Sequence, residues 1–159
     1  MEFLDGWHGE TTDQLLALRD HYDPESLMLA FELALQTASL SRPLNRTEQQ
    51  VLGIAAFARE MHDGGYAECF TNASRVYAGL WVEMLFELGC EQAARITRGT
   101  LGVLRVPLTP EALAERMATA DGALLALLER SDERYAALDV ELAAPLLNWI
   151  AARRAEVNC

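Results

Sequence analysis

The sequence predicts an all-α protein, on three observations. Apolar residues recur at three- and four-residue spacing through most of the chain. Asp-Pro-Glu and Thr-Pro-Glu triplets mark helix starts, and no segment alternates in the two-residue rhythm of a half-buried strand. The 159 residues are expected to form one domain, a compact array of roughly seven helices. Thr12 is placed to cap a short helix through Leu15, Leu16 and Leu18 that ends near Tyr22. Asp23-Pro24-Glu25 combines an N-cap aspartate with proline at the first helical position. Leu27, Phe31, Leu35 and Ala38 then follow on one face until Ser41-Arg42-Pro43 ends the helix. Thr47-Glu48-Gln49-Gln50 fits a capping box, opening a helix that runs to His62. Tyr77, Leu80, Trp81, Met84, Leu85 and Leu88 form the clearest apolar stripe, with Glu83 and Glu87 outside it. Gly89 is expected to end that helix, and Glu91 to Leu104 to form the next, although Val103 to Val106 could be a short strand. Thr109-Pro110-Glu111 starts a helix carried by Leu113, Met117, Ala120, Leu124 and Leu127 to about Arg130, after which Ser131 caps a short segment. Pro145 either kinks or begins the last helix, whose Leu146, Trp149 and Ile150 face inward.

Composition narrows the function. Hydrophobic residues make up 51% and charged residues 23% of the chain, as in ordinary water-soluble domains. No apolar run approaches the ~20 residues that span a bilayer, and the acidic N-terminal stretch is unlike an export signal, so no membrane role and a cytoplasmic location are expected. Cys69, Cys90 and Cys159 lack metal-type spacing and read as reduced thiols, without metal or cofactor. There are 24 acidic side chains against 13 basic ones, a formal net charge of −11. All the basic residues are arginine. Such a surface is a poor ligand for nucleic acid, which requires cations, and a natural complement to a basic protein.

One stretch stands out: Glu60-Met61-His62-Asp63-Gly64-Gly65-Tyr66-Ala67-Glu68-Cys69-Phe70-Thr71-Asn72-Ala73-Ser74. Adjacent glycines cost a helix interior roughly 1 kcal/mol each, so Gly64-Gly65 marks a corner, followed by one short helical turn through Tyr66, Cys69 and Phe70 before the next helix. Asn72 or Ser74 is placed to cap the helix that follows. The pattern of an acidic residue, Asp63-Gly64-Gly65-Tyr66, Phe70 and Asn72-x-Ser74 resembles the signature of the bacterial DNA-mimic protein family, a small all-helical domain. Leu85 to Ile96, and more weakly Asp132-Glu133-Arg134-Tyr135, echo further elements of it, so that the likeness covers about residues 45–155. His62 stands where that family commonly has Asn, and Arg75 where a Gly often follows the Ser. The resemblance implies a non-enzymatic DNA mimic, a homodimer, that binds a basic nucleic-acid-binding protein. Asp63, Gly64, Gly65, Tyr66, Phe70 and Asn72 are then structural: corner, core and cap.

The carboxylates point the same way. Surface Glu normally finds Lys or Arg four residues on, worth about 0.2–0.5 kcal/mol. Here only Glu91 and Arg95 have that arrangement, whereas Glu83–Glu87, Glu111–Glu115 and Glu129–Glu133 place like charges one turn apart. Glu83, Glu87, Glu111, Glu115, Glu129, Asp132 and Glu133 are therefore the candidate partner-binding residues, as phosphate surrogates. Solvated carboxylates on an acidic surface are the plain alternative. Two other functions remain open on the sequence: an inhibitor or immunity protein against a basic toxin or nuclease, and an enzyme or small-molecule binder with a pocket near His62, Asp63 and Cys69. No glycine-rich phosphate loop, nucleophile elbow or zinc-protease motif is present, so no catalytic residue is assigned.

Overall fold

Apolar stripes at helical spacing, each closed by a cap, produce nine α-helices in the computed structural model, which describes residues 1–159. They are α1 Thr12–Ala17, α2 Pro24–Ser39, α3 Arg46–Asp63, α4 Tyr66–Thr71, α5 Ala78–Glu87, α6 Glu91–Leu104, α7 Pro110–Ala118, α8 Gly122–Ala137 and α9 Ala143–Ala152, with 3-10 turns at Ala73–Tyr77 and Arg154–Glu156. No strand forms; a single isolated bridge joins Glu2 and Tyr22. The helices exceed the expected seven because Tyr66–Thr71 is a helix in its own right and because the segment from Pro110 is broken once. That break falls at Thr119–Asp121, where Asp121 turns extended and accepts from the Leu124 amide at 2.9 Å. Ser131, expected to start a short segment, therefore lies inside α8.

Local caps explain other boundaries. Asp23 with Pro24, and Thr109 with Pro110, start α2 and α7 as the sequence indicates. Thr11 rather than Thr12 caps α1, in a capping box with Gln14, because the Thr12 hydroxyl is donated to the Val157 carbonyl. Asn45 rather than Thr47 caps α3: its Oδ1 accepts from the Glu48 amide at 2.8 Å while Glu48 Oε1 accepts from the Asn45 amide at 3.0 Å. Asn is the stronger cap residue, and Glu48 stands three residues on, as the box requires. Val103 and Leu104 finish α6, which stops as Arg105 takes a left-handed conformation, so no strand forms there. Pro145 is the third residue of α9, where its missing N–H costs no intrahelical bond.

The chain divides into two compact units, Met1–Ala55 with Glu141–Cys159, and Ala56–Val140. In the first, α2 packs on α1 and α9. Leu15, Leu27, Phe31, Leu35, Val51, Leu146 and Ile150 are fully buried, each worth about 1.5–3 kcal/mol when removed from water. The final residues are tied into this unit by Glu48. Its carboxylate receives both Arg42 Nη1 and Nη2, at 2.9 and 2.7 Å, and the Asn158 amide at 3.0 Å. In the second unit α4 packs on α7 and α8, and α6 on α5 and α8. Phe57, Tyr66, Phe70 and Trp81 are buried in contact, with Tyr135 edge-on to both Phe57 and Tyr66. Edge-on and offset ring pairs of this kind add about 0.5–1.5 kcal/mol beyond burial.

Burial raises the Glu48 carboxyl, but the Arg42 guanidinium and the Asn45 and Asn158 amides outweigh it and hold its pKa below the ordinary value. A depressed folded pKa stabilises the protein above the unfolded value, about 4.3, and that contribution is lost as pH falls through the folded pKa. Glu48→Gln should thus cost about 2 kcal/mol at pH 7. In urea titrations the gap between parent and variant should close as pH falls below about 4; a gap independent of pH would contradict this.

Candidate functional site

The stretch singled out in the sequence is organised by Glu60, in the last turns of α3. Its side chain is only 5% exposed. A buried carboxylate needs donors, since leaving it bare costs several kcal/mol. Asn72 Nδ2 supplies one at 2.8 Å, Arg59 Nη1 another at 3.2 Å and Ser74 Oγ a third at 3.4 Å. Asn72 Nδ2 also reaches Glu68 Oε2 at 2.7 Å. Asn72 and Ser74 therefore serve as donors to Glu60, not as the side-chain caps the sequence suggested, and the turn that starts at Ala73 has no side-chain cap. On the sequence Glu60 is only the acid that opens the family pattern, with no role of its own; its place twelve residues before Asn-x-Ser was the available signal.

α3 ends at Asp63 and α4 begins at Tyr66. Gly65 between them has φ +78° and ψ −160°, a conformation that only glycine adopts readily. Space reinforces the requirement. A Cβ on Gly65 would lie 2.5 Å from the Asp132 carboxylate. That carboxylate, on α8, accepts from the Tyr66 amide at 2.8 Å and so serves the open N-terminus of α4. Tyr66 and Phe70 are fully buried, the Tyr66 hydroxyl sharing a hydrogen bond with Thr97 Oγ1 at 2.8 Å. Asp63 and Gly64 are exposed.

The candidate partner-binding residues separate into three kinds. Asp132 faces inward and is half-buried; burial raises its carboxyl above the ordinary value, the Tyr66 amide opposes this, and Glu129 adds to it. Glu83 and Glu87 are exposed one turn apart on α5, and each has interactions within the protein. Glu111, Glu115, Glu129 and Glu133 are exposed and form no ion pair. On α8 the exposed Arg130 and Arg134 run beside Glu129 and Glu133. Arg130 stands three residues before Glu133 and is its neighbour on the helix surface, so α8 presents both signs of charge. The expected Glu91–Arg95 pair forms at 2.6 Å.

His62 and Cys69 are not brought together. His62 is exposed, Cys69 is fully buried, and burial together with Glu60 and Asp132 pushes its thiol far above the ordinary range. A thiol so placed is not a ready nucleophile. No group of three or more His, Cys, Asp or Glu side chains is arranged to hold a metal ion. No helix is long and apolar enough to cross a membrane.

Fold and surface together define an all-helical, acidic protein whose second unit carries unpaired carboxylates on α7 and α8. A family model described as DMP19-like protein matches residues 42–153, and the chain belongs to that family. No curated protein and no solved structure matches the chain.

Gly65→Ala should lower stability by about 2–3 kcal/mol, by strain and by collision with Asp132. Gly99→Ala, in the exposed face of α6 with open space around it, should raise stability by about 1 kcal/mol. Urea denaturation of the two variants checks both signs; a harmless Gly65→Ala would remove the structural role assigned to that position.

Proposed function

We propose that the protein is a non-enzymatic DNA mimic that occupies the DNA-contacting surface of a transcription factor or another basic nucleic-acid-binding protein. The observation that carries this reading is that Glu111, Glu115, Glu129 and Glu133 are solvent-exposed and unpaired. Family membership agrees with it. Carboxylates one helical turn apart repeat every ~5.4–6 Å, and duplex DNA presents one negative charge per ~1.7 Å of axis in two rows. Two consecutive acidic helices approach that density only in part, and a homodimer, which we include in the proposal, would double the array. Glu83 and Glu87 are exposed on α5 and join the proposed set, whereas the inward-facing Asp132 serves α4. The partner supplies Lys and Arg, and the attraction steers encounter more than it sets final affinity.

The test is capture of cytoplasmic basic proteins on the immobilised protein at low salt, followed by competition with duplex DNA. Nucleic-acid-binding proteins should be retained, displaced by DNA, and lost as salt rises, in the manner of phosphate contacts. Glu111→Gln with Glu115→Gln should reduce retention, and adding Glu129→Gln with Glu133→Gln should abolish it. Retention unaffected by DNA, or by all four substitutions, would overturn the proposal.

A further inference from the structure

Arg116 follows Glu115 in sequence, and Arg75 is bonded to the residue before Glu111, yet neither neutralises a carboxylate of α7. Arg75 Nε donates to the Pro110 carbonyl at 3.0 Å, and its Nη1 to the Thr71 and Asn72 carbonyls at 3.0 and 3.1 Å. Arg116 Nε donates to the Leu104 carbonyl at 3.2 Å. Thr71 and Leu104 are the last residues of α4 and α6, so their carbonyls lack intrahelical donors. One arginine thereby ties the start of α7 to the end of α4, and the other ties its last turn to the end of α6. Between them the fully buried Leu113 holds the inner face of α7. Glu111 and Glu115 remain on the outer face, exposed and unpaired.

We propose that Arg75 and Arg116 are positioning residues of the acidic face. They fix α7 at both ends through main-chain carbonyls, and in doing so keep their own donors away from Glu111 and Glu115. The proposal rests on the reading of those two glutamates as partner-contacting groups. It assigns Arg75 a role at the position that departs from the pattern in which Gly follows the Ser. Arginine suits it because one planar fork serves several carbonyls; a lysine ammonium keeps the charge without that geometry.

Two measurements on the full chain test it. In Arg75→Met and Arg116→Met, hydrogen exchange of the α7 amides should lose about ten-fold in protection, while the amides of Thr97 to Leu101 in α6 keep theirs. Arg75→Lys should fall between the parent and Arg75→Met, and carries the same comparison if the methionine variant fails to fold. Unchanged α7 protection, or an equal loss throughout, overturns the positioning role. The second measurement is affinity for a purified, positively charged helix-turn-helix domain at low salt. Each Arg→Met change makes the protein more negative, so if charge alone mattered, binding would tighten; positioning requires it to weaken. Tighter binding overturns the inference. If the parent binds no such domain, the acidic-face reading fails, and the exchange data still decide whether the arginines hold α7.

Discussion

Every helix leaves its last carbonyls without intrahelical donors; turn amides meet much of that demand, and in a chain without lysine arginine side chains serve the ends of four helices. Arg19 serves the Leu16 carbonyl near the end of α1, and Arg153 serves Trp149 near the end of α9, where it also stacks 4.1 Å over the indole. Arg75 and Arg116 do the same for α4 and α6. The buried Glu48 and Glu60 each take a further guanidinium, from Arg42 and Arg59. Six of the thirteen arginines are thus engaged at helix ends or with buried acids, while others, among them Arg130 and Arg134 on α8, stay exposed.

The same economy operates around α4. This helix has six residues, too few to be stable alone, and both its ends are served by side chains from elsewhere in its unit. Asp132 receives the Tyr66 amide at one end; Arg75 donates to Thr71 at the other. Glu60 fixes the following turn through Asn72 and Ser74. Because α7 and α8 both pack on α4, these few polar contacts set where their carboxylates stand. Packing, capping and electrostatics meet in a segment of about fifteen residues, Glu60 to Ser74.

Much of the fold was legible in the sequence because helical periodicity and Pro-containing starts are local signals. Asp23-Pro24 and Thr109-Pro110 are examples, as is the stripe through Trp81 and Leu85. What was misread depended on competition between neighbouring candidates. Thr12 lost the capping role to Thr11 because a carbonyl 145 residues away claimed its hydroxyl. Asn72 and Ser74 lost theirs to a buried acid on another helix. The break at Asp121 was hidden by apolar residues that keep their spacing across it. At the candidate site, the acidic pairs on α7 and α8 were visible as like charges four residues apart. Asp132 looked equivalent on the sequence and is inward-facing in the structure; its place four residues after Leu128 and three before Tyr135, on the stripe that starts at Leu124, was the local signal, hidden by the helix end expected near Arg130. The arginines that leave Glu111 and Glu115 unpaired were invisible, since their acceptors are main-chain carbonyls, which carry no sequence signature.

The proposed function requires an ordered zone of negative potential over α7 and α8. It is tested most directly by paramagnetic relaxation of backbone resonances with matched cationic and anionic nitroxide cosolutes, which reports the potential near each residue. Strong enhancement by the cationic probe and exclusion of the anionic one are expected along residues 111–115 and 129–133, fading as salt screens the field. Equal effects of the two probes over those residues would contradict it.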